Sequence, residues 1–127
     1  MRITGLFLAV AALMAAPAYG QTWNAGATGF WDDAANWSSA DAPGTNPTDN
    51  ATIASNGSDV TIREAAPGAD VTINNLTLQF TSELTIENNR TLTVNGDFLF
   101  NFGPGGQLNG AGALVVGGTT TLNQSGG

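Results

Sequence analysis

The sequence predicts an all-β chain that coils upon itself as a β-solenoid, and three observations support this prediction. Apolar residues alternate with threonine from Val71 to Val94, the period of two that is typical of strands with one buried face. Leu-Thr-apolar triplets open at Leu76, Leu84 and Leu92, a spacing of eight residues. Asn-Asn and Asn-Gly pairs follow several triplets, and both residue types accept the left-handed backbone of a tight corner.

The chain has 127 residues, enough for one domain, and begins with the pattern of a secretory signal peptide. Arg2 precedes an apolar run from Gly5 to Ala16, and the small residues that follow allow cleavage after Ala18 or Gly20. The apolar run is too short for a stable membrane anchor. We therefore expect an exported protein that loses residues 1–20 and has no transmembrane span afterwards.

The composition of the remaining chain restricts its partners. Removal of Arg2 with the leader leaves two arginines and no lysine against ten acidic residues, a net charge of −8. Two cations cannot neutralise a phosphate backbone, so nucleic acid is excluded as a partner, and anionic membrane surfaces are disfavoured. Small exported domains usually depend on disulfides, but this chain has no cysteine. We expect stacked backbone ladders to provide its stability, as in bacterial surface proteins.

Residues 21–54 differ from the rest of the chain. They contain all three tryptophans, Trp23, Trp31 and Trp37, together with the turn-rich stretch from Asp41 to Asn50. A solenoid must protect the edges of its first coil, and terminal repeats accordingly act as caps. We predict that this region is a Trp-rich N-terminal cap. The alternative is that the tryptophans form an exposed platform, because aromatic faces stack well on sugar rings.

Residues 55–127 are predicted to be the solenoid repeats. Three strands of about eight residues give roughly 24 residues per coil and about three coils, near the minimum for such arrays. We expect the array to continue beyond residue 127, or another molecule to cover its open end. The inward-facing side of the chain changes between Ile73 and Leu76, which predicts a corner at Asn74-Asn75. The residues expected to face the interior are Val71, Ile73, Leu76, Leu78, Phe80, Leu84, Ile86, Leu92, Val94, Phe98, Phe100 and Phe102.

Two stretches resemble a known family. The sequence GFWDDAANW from Gly29 to Trp37, followed by DNATI from Asp49 to Ile53, resembles the opening of many bacterial exported β-solenoid proteins. The tail LNGAGALVVGGTTTL from Leu108 to Leu122 resembles the autotransporter-associated β-strand repeat. This resemblance implies a right-handed parallel β-helix that is secreted or displayed at the bacterial cell surface or outer membrane. It also implies adhesion or a structural scaffold, and the family defines no catalytic residues.

The residue types exclude several kinds of active site. Without His or Cys, the chain cannot build Ser-His or Cys-His nucleophile systems or the usual zinc sites, and without Lys it has no phosphate-binding loop of the usual kind. Paired acids could still form a glycosidase. However, Asp32 and Asp33 are adjacent and point to opposite faces of an extended chain, while Glu83 and Glu87 share an outward face. We expect these four groups to be solvated surface charge, and the protein not to be an enzyme.

Calcium is the one metal that the composition allows, because it binds carboxylate and carbonyl oxygens. The candidate ligands Asp32, Asp33, Asp41 and Asp49 all lie in the predicted cap. The glycine-aspartate nonapeptide of calcium-binding β-rolls is missing from the sequence. We therefore expect no cofactor.

The main functional hypothesis is a non-enzymatic exported protein whose β-helix acts as an adhesin-like or structural scaffold. Its expected partners are host or cell-surface glycans or proteins. The first alternative is a carbohydrate-binding or polysaccharide-cleaving module that places Trp23, Trp31 or Trp37 against the ligand. The second alternative is end-to-end self-association into filaments, because open strand edges recruit other chains.

Overall fold

A computed structural model describes residues 20–24, 28–54 and 57–124. Within these ranges the chain is an all-β solenoid of about three turns built from parallel sheets, which confirms the predicted fold class. The predicted leader lies outside the described residues except for Gly20, which opens the first strand. The same ranges contain no helix with the length and apolar composition needed to cross a bilayer.

Three sheets run along the solenoid. Sheet 1 has the strand order β1-β3-β6-β9-β12, sheet 2 the order β2-β4-β7-β10 and sheet 3 the order β5-β8-β11, and all neighbours are parallel. The strands are β1 Gly20–Thr22, β2 Thr28–Phe30, β3 Asn50–Ile53, β4 Asp59–Ile62, β5 Val71–Ile73, β6 Asn75–Phe80, β7 Glu83–Ile86, β8 Thr91–Val94, β9 Phe98–Phe102, β10 Gln107–Asn109, β11 Ala113–Val116 and β12 Thr120–Gln124. A short 3-10 helix, η1, spans Ala34–Asn36.

The chain passes through the three sheets in turn and then begins again one layer further along. Strands β3–β5, β6–β8 and β9–β11 each complete one coil, and β12 begins another. In sheet 1 Leu76 pairs with Phe98 and Phe98 lies beside Thr120, a step of 22 residues each time. In sheet 2 Glu83 pairs with Gln107, a step of 24 residues. These steps agree with the predicted length of about 24 residues per coil.

The core consists of aliphatic rows, one residue per coil, that lie directly above one another. In sheet 3, Val71, Leu92 and Leu114 form such a row, and in sheet 2 Leu84 lies between Val60 and Leu108. Leu84 and Leu92 are fully buried. Threonines occupy the intervening positions and face outward, because alternate residues of a strand point to opposite faces. Each buried aliphatic side chain contributes about 1.5–3 kcal/mol of transfer free energy.

The predicted corner before sheet 1 is present, but the prediction that Phe80 faces the interior is wrong. Asn74 forms a bend between β5 and β6, and Ile73 and Leu76 on its two sides are both buried. Phe80 is instead 49% exposed. Its φ of +61° turns the chain at the end of β6. Phe80 therefore no longer follows the inward and outward alternation of the strand, and its side chain stays at the surface. Ser82, two residues after Phe80, is fully buried.

The three phenylalanines of β9 are only partly as predicted. Phe98 and Phe100 are buried with their ring centroids 6.0 Å apart, which confirms that they stack inside. Phe102 contacts Phe100 at 4.9 Å between centroids but remains half-buried. Phe102 lies in register with the exposed Phe80, so it shares that residue's position at the rim of the core.

Polar side chains connect successive coils at the corner before sheet 1. The Asn75 side-chain amide donates to the Asn50 side-chain oxygen at 2.9 Å, and the Asp97 N–H donates to the Asn75 side-chain oxygen at 2.8 Å. The Thr119 N–H then donates to the Asp97 carboxylate at 2.9 Å. Each coil therefore accepts a hydrogen bond from the next coil at this corner, and these bonds fix the register of the coils there.

The region predicted as a separate cap provides strands of the solenoid itself. Strands β1 and β2 form most of a first coil, and β3 begins at Asn50, before the predicted boundary at residue 55. Ala51 and Ile53 of β3 are buried in the same alternation as the later triplets, so β3 belongs to the regular ladder. The Ala51-Thr52-Ile53 triplet has the same alternation in the sequence as the later triplets, although it lies inside the range predicted as the cap.

Gly110 and Gly105 provide a matched test of how closely the coils stack. Both have a positive φ, +109° and +92°, but a Cβ on Gly110 would collide with the carbonyl oxygen of Ile86 whereas a Cβ on Gly105 would meet nothing within 4 Å. Gly105→Ala should cost about 1–2 kcal/mol of unfolding free energy from backbone strain alone. Gly110→Ala should cost about 1–3 kcal/mol more from overpacking. Urea unfolding followed by far-ultraviolet dichroism measures both, and equal losses would contradict the close contact.

Candidate functional site

The three tryptophans form one cluster at the N-terminal end of the solenoid. The ring centroids of Trp23 and Trp37 are 5.1 Å apart at an interplanar angle of 87°, and those of Trp31 and Trp37 are 4.8 Å apart at 63°. Both pairs have edge-to-face geometry, which contributes about 0.5–1.5 kcal/mol per pair beyond area burial. The cluster belongs to the same core as the aliphatic rows.

Hydrogen bonds to the backbone hold two of the indoles in place. The Trp31 Nε1–H donates to the carbonyl oxygen of Pro43 at 2.8 Å, and the Trp37 Nε1–H donates to the carbonyl oxygen of Trp31 at 2.8 Å. The backbone N–H of Trp23 donates to the Thr52 carbonyl oxygen of the next coil at 2.9 Å. Each tryptophan therefore has a defined structural partner.

Burial of these rings bears directly on the sugar-platform hypothesis. Trp23 and Trp31 are each 1% exposed and Trp37 is 2% exposed, so no indole face is open to solvent in this arrangement. Stacking of a sugar on one of these rings would require the ring to leave the core. The exposed aromatic side chains among the described residues are Phe30 and Phe80 instead.

The corner between sheets 2 and 3 uses both arginines of the described chain. The Arg63 guanidinium forms a two-pronged ion pair with the Asp32 carboxylate, with Nε to Oδ1 at 3.0 Å, and lies 4.2 Å from the centroid of the Phe30 ring. Arg90 in the next coil donates to the carbonyl oxygens of Arg63, at 2.9 Å, and Glu64. The two guanidinium groups therefore connect three coils.

The acidic residues considered as calcium ligands have other partners in the structure. Asp33 caps η1 by accepting from the Ala35 N–H at 3.2 Å, and Asp41 accepts from the Thr45 hydroxyl at 3.2 Å. Asp49 is almost fully buried and accepts from two backbone N–H groups in the turn before β3. In the part of the chain that the structure describes, no three acidic residues are grouped so that they could hold a metal ion.

The two glutamates of the β7 region also make local contacts. The Glu83 carboxylate accepts from the Asn109 side-chain amide at 2.7 Å and from the Thr85 hydroxyl at 3.3 Å. The Glu87 carboxylate accepts from the Glu64 N–H at 2.6 Å. Both groups therefore connect neighbouring coils on the outside of the solenoid.

A groove of about 200 Å³ lies where the first coil has a loop instead of a sheet 3 strand. The Trp31 indole anchors this loop through Pro43, and Val71 of β5 closes the apolar side of the groove. Asp32, Thr45 and Asp70 provide polar groups along it. One Asp70 oxygen accepts from the Thr91 N–H at 2.9 Å, and Asp32 is held by Arg63.

The groove has the chemistry of a binding site for a neutral ligand. Its apolar side suits a hydrocarbon or sugar face, and its carboxylates could accept hydrogen bonds from hydroxyl groups. The same carboxylates repel anions, and the nearest cation, Arg63, is already paired with Asp32. The volume is below that of typical drug-sized sites, so a ligand of about one sugar ring is the largest it would enclose.

Two residues near this groove have roles that the sequence interpretation did not assign. Asp49 orders the loop by accepting from the N–H groups of Gly44 and Asn46, at 3.1 and 3.2 Å. Asp70 lies at the end of the loop between β4 and β5 and lines the groove. The only sequence signal for the role of Asp49 in the turn was its place after Asn-Pro-Thr, a common turn sequence. The sequence contains no such signal for Asp70, because its position depends on the packing of two loops.

Comparisons with known proteins do not extend these observations: no family model matches the chain, and neither the curated proteins nor the solved structures gave a similar one.

Proposed function

We propose that this protein is a non-enzymatic exported scaffold that holds an outward surface of threonine and asparagine side chains at fixed spacing on a bacterial cell surface. The observation that carries the proposal is the continuous set of coil-to-coil contacts, in which aliphatic rows, corner amides and both arginines connect each layer to the next. Such an array is rigid along its length, because each coil is fixed relative to its neighbours. That property suits adhesion or spacing, and the signal-peptide pattern supports export.

The outward faces provide a regular surface for a partner. In sheet 1, Thr52 pairs with Thr77 and Asn101 pairs with Asn123, whose side-chain amide donates to Asn101 at 2.8 Å. Strands are about 4.8 Å apart, so these hydroxyl and amide groups lie at that interval in neighbouring coils, and Leu99 interrupts the threonine row in β9. A partner with repeating hydroxyl or amide groups, such as a cell-surface glycan or glycoprotein, could bind across several coils.

Tryptophan emission and amide exchange together test the scaffold proposal. The buried indoles should emit at short wavelength, and neither soluble xylan nor cello-oligosaccharides should shift the emission, because the rings do not face solvent. The backbone amides of β3, β6 and β9 should exchange only through global unfolding, since they lie in the interior of sheet 1. Rapid exchange of these amides in the native protein would overturn the proposal of a rigid scaffold.

A second candidate function, carbohydrate binding, is favoured by the groove beside Trp31. In that case a sugar should perturb the Trp31 environment through Pro43 and Thr45, and Asp70→Asn should weaken binding by removing a charged acceptor. Ala65→Asn, on an exposed loop outside the groove, is the control. Isothermal titration of the same oligosaccharides into the unmodified chain and Asp70→Asn distinguishes the two functions, because only binding in the groove should be weakened by this substitution.

A further inference from the structure

Phe80 combines two features that stability does not explain. Its side chain is 49% exposed, so the ring gains only part of the free energy that burial in the core would provide. Its φ of +61° lies in the left-handed region, which strains a residue with a bulky side chain and suits Gly or Asn better. Backbone strain of this kind is concentrated at ligand-binding and active sites. An exposed aromatic ring in a strained position therefore points to a role outside the core.

The next coil holds the backbone of Phe80 with residues that have little side chain. The corner after β9 has the sequence GPGG from Gly103 to Gly106. The Gly103 N–H donates to the Phe80 carbonyl oxygen at 2.9 Å. A Cβ on Gly106 would collide with the same carbonyl oxygen, so this close approach excludes larger residues. Three glycines in four residues thus fix the Phe80 backbone and place few side-chain atoms beside its ring.

Phe80 differs in this respect from Phe30, the other exposed aromatic residue of the described chain. The Arg63 guanidinium lies 4.2 Å from the centroid of the Phe30 ring, so one face of that ring already has a partner. In residues 20–24, 28–54 and 57–124, no aromatic ring or guanidinium group contacts the Phe80 ring. Phe80 is therefore the exposed ring that offers an aromatic face to a ligand.

Amide side chains lie beside Phe80 on the outer face of sheet 1. Gln79 precedes Phe80 in β6, and the strand register places Gln79, Asn101 and Asn123 in one outward row. The Asn123 side-chain amide donates to the Asn101 side-chain oxygen at 2.8 Å, which leaves the Asn101 amide N–H groups available. Within the described ranges the side chain of Gln79 has no hydrogen-bond partner. Donors and acceptors are therefore available one strand spacing, about 4.8 Å, from each other next to the ring.

Charge is absent from this face of the solenoid. None of the five strands of sheet 1 contains a charged residue, although the chain has ten acidic residues. The net charge of −8 that remains without the leader repels anions, and a cation would be attracted to the acidic corners of the other sheets instead. The face beside Phe80 is therefore complementary to a neutral ligand.

We propose that Phe80, Gln79 and Asn101 form a binding site for a neutral glycan built from β-linked glucose-type rings. These rings have axial hydrogens on each face, so one face can stack on the Phe80 ring while hydroxyl groups at the ring edge bond to the amides. The glycan chain then follows the amide row toward Asn123. This site names a partner for the outward surface of the scaffold, on whose function it rests, and it lies apart from the tryptophans and from the groove beside Trp31.

Isothermal titration of cellohexaose into the purified full chain tests the site. The unmodified chain should give saturable heat, and Phe80→Asn should weaken the association about tenfold or more, because Asn accepts the left-handed φ but provides no ring. Phe80→Trp should bind at least as tightly, since it keeps a large aromatic face. Phe30→Ala removes the other exposed ring and should bind like the unmodified chain. Hexagalacturonate, a charged chain of the same length, should not bind.

The same variants separate a binding role of Phe80 from a structural role. Phe80→Asn should keep its far-ultraviolet dichroism spectrum, because relief of the left-handed strain offsets the contacts that the ring loses. Absence of saturable heat with the unmodified chain, or a Phe80→Asn variant that binds as tightly, would rule out the site. If Asp70→Asn weakens binding and Phe80→Asn does not, the glycan lies in the groove instead. Each of these failures leaves the rigid scaffold intact, since amide exchange tests the scaffold separately.

Discussion

Trp37→Ala should lower the unfolding free energy by about 3–5 kcal/mol, the usual cost of removing a large buried aromatic side chain. Trp37 contacts the rings of both Trp23 and Trp31, so its loss breaks two edge-to-face contacts and opens a cavity in the first coil. It also removes the indole N–H group that donates a hydrogen bond to the Trp31 carbonyl oxygen. Because small domains have only about 5–15 kcal/mol of net stability, the first coil should detach or the whole chain should unfold near room temperature.

Phe80→Ala is the matched control for the tryptophan substitution. It also removes an aromatic ring, but Phe80 is 49% exposed at the rim of the solenoid. The expected loss is about 1 kcal/mol or less, because much of the ring is already in water. Thermal unfolding followed by far-ultraviolet dichroism measures both variants. Equal losses would mean that the tryptophan cluster does not close the core.

Leu92→Asp should unfold the protein at neutral pH. Leu92 is fully buried in β8, the central strand of sheet 3, between Val71 and Leu114. A carboxylate at this position has apolar neighbours above and below and no cation to pair with. The expected cost is about 4 kcal/mol or more, comparable with the whole stability of a small domain. Loss of the β-type dichroism spectrum and of protease resistance measures the effect.

Thr93→Asp tests whether the direction of the side chain decides the outcome. Thr93 is the next residue in the same strand but faces outward, in register with Thr72 and Val115. The same charge should change the unfolding free energy by no more than about 1 kcal/mol there. If Thr93→Asp unfolds the protein while Leu92→Asp does not, the register of sheet 3 is shifted by one residue.

The alternation of aliphatic and threonine residues was sufficient to predict the regular coils. From Val71 to Val94 every apolar residue except Phe80 is buried, and Ser82 is the one buried polar residue. A period of two predicts which face is buried because the geometry of an extended strand leaves no other arrangement. The spacing of the triplets likewise predicted the coil length, since each corner must return the chain to the start of the next layer.

The first coil and the groove could not be predicted in the same way. Trp31 contacts Pro43 and Arg63 pairs with Asp32, and these contacts join residues that have no common periodicity. Phe80 has the residue type and parity of a core position, but a left-handed φ at the strand end turns it outward. Such outcomes depend on how loops from different coils pack, and a sequence pattern contains no information about that packing.

The sequence by itself determined that this chain is a β-solenoid, which residues form its aliphatic rows and where most corners occur. These properties are local, because side-chain alternation and turn residues act over a few neighbours in the chain. The tertiary structure alone decided that the three tryptophans are buried and that the segment from Asn36 to Ser38 runs beside β1. Those properties depend on which segments become neighbours once the coils stack, and these segments share no sequence period that would predict their contacts.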